Sequence, residues 1–524
     1  MNHMIVARDQ RYSLPAIGLP VIAVTGAAAL AVLFAISGDL KVIVAALVGL
    51  LGVAAAWLSG NPRVYFLWAF MFTIPFDLSK SLGPNVQKMG GETSFRIELS
   101  DPFLLVLALY LAWDIWSGRR QGVRIPRMTY LWIAIIVMGM VQVLFGRYQY
   151  SPLHEVVRMI KVTLLFLVIA NELETPRRFL QCVSGLALAV ILHASVGLVQ
   201  LYKGSTLGLE FLGEINPIIM SLLNETSVQN QKVFRISGLL LHPNLFGIFL
   251  AVVLPLAMGL FLHKRGIGYK LFFLTSILFG VTALIGTLSR SSWLSFTTAF
   301  GVLMALMILH QRLRRRSLLT AVSVGLAVII LGVAFSGPII QRIFQSSESA
   351  MLDREVFEAD AKRMIAASPW LGWGLNTYTI EVPPFTEYRP RKAKQLYGGF
   401  TPVVHHIYLL WWAEMGIVGL ALHLALLAGI IGLGIGNLRV RDDMLYIINA
   451  ACLGSILAFM VDGFFSFSLR VNPILRVFWV LVGMMSAIRY WRLRQSAMEF
   501  PEPERDSALP SREERLAAPY SVHS

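Results

Sequence analysis

The chain has 524 residues, of which 56% are hydrophobic and only 14% charged, about half the charged share of a globular domain. Its mean hydropathy of +0.66 excludes a soluble protein. The net charge of +15 lies in short clusters between apolar runs rather than in one patch, so nucleic acid is not an expected partner.

A helix that crosses a bilayer needs roughly 20 apolar residues. About fourteen runs qualify, at 14–37, 40–59, 63–77, 102–117, 128–146, 153–172, 179–202, 238–262, 270–288, 291–310, 317–336, 405–435, 444–466 and 473–489. The expected fold is all-α, a polytopic transmembrane protein of about 14 (12–14) helices. The third, fourth and sixth runs are short or carry charges.

The segment 1–13 reads as a cytoplasmic N-terminus, too polar at its start for a cleaved signal. Basic clusters follow at GRRQGVRIPR (118–127), PRR (176–178), HKRGIGYK (263–270), QRLRRR (311–316) and RVRDD (439–443). Clusters of this kind are retained in the cytoplasm during insertion. With fourteen helices and both termini inside, every one of them falls on that side. Cys182 and Cys452 lie in apolar runs and indicate neither a disulfide framework nor a thiolate metal site. Residues 491–524 read as a disordered cytoplasmic tail, polar and charged from Glu499 onward.

The same topology puts 78–101, 203–237 and 337–404 on the outer face. The last combines a helical pattern (Asp353 to Ala367) with the turn-rich SPWLGWGLNTY at 368–378, where Pro369, Gly372 and Gly374 break the helix. Long loops between helices are usually functional or disordered, and the aromatic and glycine content here favours a folded lid. Arg290 (TLSRSSWL), Arg235, His242 and Asn244 (FRISGLLLHPNLFG), Arg354 and the pair His405–His406 all fall on that face. Arginine supplies forked donors for phosphate oxygens, and histidine exchanges a proton near neutral pH. Together they suit a lipid that carries phosphate in the headgroup plane.

Each residue also has a structural reading. Arg290 suits a helix-end anchor, and His242-Pro243-Asn244 suits a cap or kink. Trp411 and Trp412 suit interfacial packing. Arg342, Arg363 and RPRKAK (389–394) suit solvated loop charges. Asp462 and Glu414 stand in apolar runs, as ion or proton sites or as partners of buried cations.

At this point the pattern resembles the bacterial O-antigen ligase and O-antigen polymerase superfamily, membrane glycosyltransferases of C-type architecture. That family's signature is a histidine, a small polar residue, nine variable positions, Gly, two positions and Gly. His405, His406, nine residues, Gly416, Ile417, Val418 and Gly419 reproduce the spacing. His406 stands where asparagine, serine or threonine is usual, so the pair offers two candidates for a base. Arg290 to Leu294 resembles the family's arginine-three-residues-leucine motif. Arg354 ahead of Pro369, Gly372 and Gly374 resembles its loop arginine and following turn. Phe357 is the candidate for the aromatic that follows that arginine.

The resemblance implies the following organisation and chemistry. Residues 14–234 form N-terminal transmembrane helices, and 235–435 an O-antigen ligase-like catalytic core that includes the periplasmic loop 337–404. Residues 436–490 form C-terminal transmembrane helices. The enzyme, in the bacterial inner membrane, would move a glycan from an undecaprenyl-diphosphate carrier to a hydroxyl of a glycan or lipid A core acceptor. His405 would be the base, with Arg290 and Arg354 clamping the diphosphate. Arg235, His242, Asn244, His406, Glu414 and Asn376 would bind substrate. No cofactor is implied; without a DxD pair or dense carboxylate cluster in the outer loops, metal-free chemistry is expected. A transporter or flippase of a lipid-linked glycan or small anion is the alternative, but no internal repeat supports it.

Overall fold

The computed structural model describes residues 60–83, 85–86, 91–217, 234–263, 266–310, 313–314, 348–386 and 402–499. The expected helices 14–37, 40–59 and 317–336, and residues 500–524 of the tail, lie outside these residues; residues 491–499, expected as the start of the disordered tail, instead continue the last helix. The described part is mostly helical, with thirteen α-helices and two short strands. Eight of the helices are long and apolar enough to cross a membrane.

In chain order, α1 is Pro62–Thr73, α2 Asp101–Trp116, α3 Met128–Phe145, α4 Tyr150–Glu172 and α5 Pro176–Lys203. Next come α6 Pro243–His263, α7 Ile267–Gly286 and α8 Arg290–Leu309. Within 337–404, α9 is Glu348–Ala367 and α10 is the single turn Tyr378–Glu381. The chain closes with α11 Ile407–Asn437, α12 Asp443–Asp462 and α13 Asn472–Glu499. All eleven expected runs within the described residues are helical. Those at 62–73, 101–116 and 150–172 form, but they are too short or too charged to count among the eight.

Two differences from the sequence reading bear on the site. The run expected at 238–262 starts only at Pro243, because Leu241 takes a left-handed φ of 44°. The outer segment 78–101 is a hairpin, with β1 Ser79–Leu82 antiparallel to β2 Phe95–Glu98 and Leu82 opposite Phe95. Its strands are four residues each, too short for an alternation signal to stand out.

Consecutive helices run between two ends of the bundle. At one end Arg63 of α1 pairs with Asp114 of α2 (2.5 Å) and Glu172 of α4 (2.5 Å), and Arg178 of α5 donates to the Glu172 carbonyl. Arg492 of α13 donates to Gly436 at the end of α11, and Arg124 stacks on Tyr490. This is the basic end. At the other end lie the starts of α6, α8 and α11 and the close of α12.

Small residues decide how α6, α8 and α12 meet. A Cβ on Gly454 would stand 2.5 Å from the Ala299 carbonyl oxygen, so only glycine allows this approach. Ser455 donates to the Val252 carbonyl (2.7 Å) and Ser295 to that of Ala458 (3.2 Å), which satisfies both hydroxyls in an apolar setting. The tight trio brings Arg290, Asp462 and His242, at three helix ends, to one place.

Candidate active site at the helix ends

Arg290 opens α8 and is exposed; the turn before it passes through Leu288, whose φ is 49°. A left-handed leucine costs on the order of 1–2 kcal/mol. Leu241 and Leu288 thus place strained turns just ahead of His242 and Arg290. Asp462, at the buried close of α12, accepts from Ser468 Oγ at 2.5 Å and interacts with Ser291 and Arg354.

Arg235 ties two of these segments together. Its Nε donates to the Thr287 carbonyl (3.0 Å) and its Nη2 to Asn244 Oδ1 (2.7 Å). The Asn244 backbone N–H donates to His242 Nδ1 (3.0 Å), so the neutral His242 ring carries its proton on Nε2. Burial, and then the charges of Arg235, His405 and Arg354, push His242 down to about 3. His242 therefore both caps the entry to α6 and stands beside His405 and Arg354.

His405 precedes α11. Phe357 of α9 stacks on its ring (centroids 6.4 Å apart, 20° between planes), and Phe467 meets it edge-on at 5.2 Å. The ring is partly exposed, but its Nδ1 is enclosed and has no hydrogen-bond partner among the described residues. Burial, and then the Arg354 charge, push His405 down to about 4, so it is a neutral acceptor at physiological pH. Arg354 itself is held below the usual guanidinium range by burial and then by Arg290, against the pull of Asp462 and Glu358. Among the described residues neither Arg290 nor Arg354 closes an ion pair within 4 Å.

His406 has a second task. Its Nδ1 accepts from the Leu409 N–H (3.3 Å), capping α11. Burial lowers its pKa and Glu358 pulls it back up. The structure thus brings Arg290, Arg354, Arg235, His242, Asn244, His405 and His406 together.

Glu414 and Asn376 belong to a neighbouring network. The signature's first glycine, Gly416, breaks α11 at φ 64°, ψ −172°, a conformation essentially confined to glycine. The break frees the carbonyls of Ala413 and Glu414, which accept from Trp373 (2.9 Å) and Gly374 (2.8 Å) of the outer turn. Ile417 N–H returns a bond to the Pro369 carbonyl (2.9 Å). A Cβ on Gly416 would collide with the Trp370 carbonyl, and one on Gly372 would lie 2.5 Å from that of Glu414. The two glycine motifs are therefore the two halves of one joint.

Below the joint, the Glu414 carboxylate accepts from the Tyr378 N–H (3.2 Å) and from Arg470 Nη2 (2.8 Å). Arg470 also pairs with Glu155 (3.3 Å) and lies over the Trp411 ring, while Arg158 binds Glu155 and the Arg470 carbonyl. Facing carboxylates raise the pKa of Arg470 although its burial opposes them. The Asn376 amide donates to the Glu92 and Ser151 carbonyls, both at 2.8 Å. Sequence reasoning did not name Arg470, Arg158 or Glu155. Glu155 and Arg158 were present as charges inside 153–172, taken there only as a weakness of the run, and Arg470 fell in the short turn between the last two runs.

These features define a class: a multi-pass helical membrane protein with cations and neutral imidazoles gathered at one end of the bundle. The O-antigen ligase family model matches residues 271–424, a similarity that supports the O-antigen ligase/polymerase superfamily. The match spans Arg290, Arg354, Asn376, His405, His406 and Glu414; Arg235, His242 and Asn244 precede it. It supports an O-antigen ligase-like membrane glycosyltransferase. No curated protein matches the chain.

Proposed function

We propose that the protein transfers a glycan from an undecaprenyl-diphosphate carrier to an acceptor hydroxyl at the periplasmic face of the bacterial inner membrane, as a ligase or a polysaccharide polymerase. The observation that carries this reading is a neutral, aromatic-flanked His405 beside Arg354, with Arg290 close enough to depress Arg354. Two cations held together against their own repulsion create a place for an anion of more than one charge, such as a diphosphate.

In the reaction the acceptor oxygen attacks the anomeric carbon and its proton passes to His405. The bond from that carbon to the phosphate oxygen breaks, its electron pair leaves with the lipid diphosphate, and the anomeric centre inverts. Arg290 and Arg354 neutralise the charge that grows on the leaving group. Preorganised charge of this kind supplies a large share of many enzymatic accelerations. With two guanidinium groups in that role, the reaction proceeds without a divalent metal.

Purified protein in detergent, given an undecaprenyl-diphosphate oligosaccharide and an acceptor panel in excess EDTA, is expected to form product. His405→Ala and Arg290→Ala should each lower turnover by roughly a hundredfold or more while remaining folded. A fully active Arg290→Ala would remove the clamp from the reading. Labelled carrier glycan that crosses liposomes without any transfer would make the protein a transporter.

A further inference from the structure

The two flanks of His405 differ in charge and texture. Arg354 stands beside His405 and is acted on by Arg290 at the start of α8. One turn along α9, Glu358 interacts with His406, and Phe464 meets the His406 ring where it is exposed. Phe357 stacks on His405, so the next residue of α9, Glu358, comes to His406, and its carboxylate interacts with that ring and with Arg354. The Glu358 side chain is 37% exposed, and its ion-pair partner Lys362 is a distant 4.0 Å away and itself solvated.

His406 spends Nδ1 on the helix cap, so its neutral ring carries its proton on Nε2. Phe464 is 54% exposed, although it follows a buried helix end. Two edge-on or tilted contacts fix its ring, with His406 at 5.5 Å and with Tyr408 at 4.8 Å. Tyr408 is in turn anchored by its hydroxyl to the Met460 carbonyl (2.8 Å). The flank therefore combines an acceptor-only carboxylate, an imidazole donor and a rigid apolar ring. A sugar is the complement of that set: hydroxyls that donate and accept, and a C–H face that packs on an aromatic. The carboxylate also disfavours a phosphate on this side.

We propose that Glu358, His406 and Phe464 form the acceptor subsite, and that it takes a neutral terminal sugar of the acceptor glycan. The assignment rests on the glycosyl-transfer reading and names one substrate of that same site. The donor diphosphate lies on the arginine flank, the acceptor sugar on the Glu358 flank, and His405 between them receives the acceptor proton.

The test has two arms on the full-length protein in detergent. In the first, neutral glucose- and galactose-terminated trisaccharides, and a uronic-acid-terminated one, are titrated calorimetrically without donor. Glu358→Gln and Phe464→Leu should each weaken binding of the neutral sugars roughly tenfold, while Phe464→Trp binds them as the parent does. The uronic acid should bind the parent poorly and Glu358→Gln better. In the second arm the same variants are assayed for transfer. The acceptor KM should rise roughly tenfold and the donor KM should hold. Unchanged binding in both variants would make Phe464 a membrane-interface aromatic and overturn the subsite. Sugar binding without transfer by the parent would overturn the catalytic reading and leave the subsite standing.

Discussion

At the scale of single residues, the unusual feature is a histidine whose environment keeps it neutral where an ordinary one would be half charged. Burial, and then the Arg354 charge, hold His405 at about 4. The neutral base is then fully present above that pH and is lost only as pH falls through it. The acid limb of kcat/KM for free enzyme should accordingly lie near 4 and not near the ordinary histidine value of about 6.5. Replacing Arg354 by Gln removes a neighbouring positive charge, so the limb of the residual activity should move upward, whereas Arg354→Lys should leave it low. A parent limb at the ordinary histidine value would mean that His405 is not the titrating base. The histidine pair was legible in the sequence as a spacing ahead of Gly416 and Gly419. The stacking of Phe357 and Phe467 on His405 was not, because these three residues meet only once α9, α11 and the close of α12 have converged.

At the scale of elements, the joint between α11 and the 368–378 turn links that loop to the helix that follows the histidine pair. Gly416 and Gly372 read in the sequence as small-residue notches and helix breakers, but their conformations answer to each other's backbone rather than to local propensity. That is why an uninterrupted apolar run concealed the break in α11. An Ala at 416 must hold φ near +64° and meet the Trp370 carbonyl as well. Backbone strain of this type costs on the order of 1–3 kcal/mol, against four backbone and indole hydrogen bonds to the 369–374 turn at net values of about 1 kcal/mol each. The joint should loosen while the helices persist. Limited proteolysis of Gly416→Ala should cut within 368–378 much faster than in the parent, with transfer reduced and helicity unchanged. Equal cutting rates would show that the joint does not hold the loop. The ion-pair knot beneath it, Arg470 with Glu414 and Glu155, follows the same logic: its charges were visible one by one, but their pairing needs residues 155, 414 and 470 to be adjacent.

At the scale of the whole molecule, apolar run length carried most of the fold, since a bilayer-spanning helix satisfies its own backbone and declares itself by length and hydropathy. The hairpin at 79–98 and the start of α6 were not legible, because they depend on how strands and turns settle on helices already packed. What the bundle adds is a polarity between its ends. Arg63, Arg120, Arg124, Arg178 and Arg492 gather at one end, and the histidine and arginine site is at the other. Basic loops stay on the cytoplasmic side during insertion, so the site should face the periplasm. Cys182 and Cys452 are both buried, which leaves little background for a labelling experiment. A cysteine at exposed Trp370, on the site end, should react with a membrane-impermeant maleimide in cells with a permeabilised outer membrane. One at exposed Gln121, on the basic end, should react only after the inner membrane is opened. The reverse pattern would put the donor's glycan and the site on the cytoplasmic leaflet. The carrier would then be used before its glycan crossed the membrane, and a periplasmic transferase would be excluded whatever the chemistry of His405.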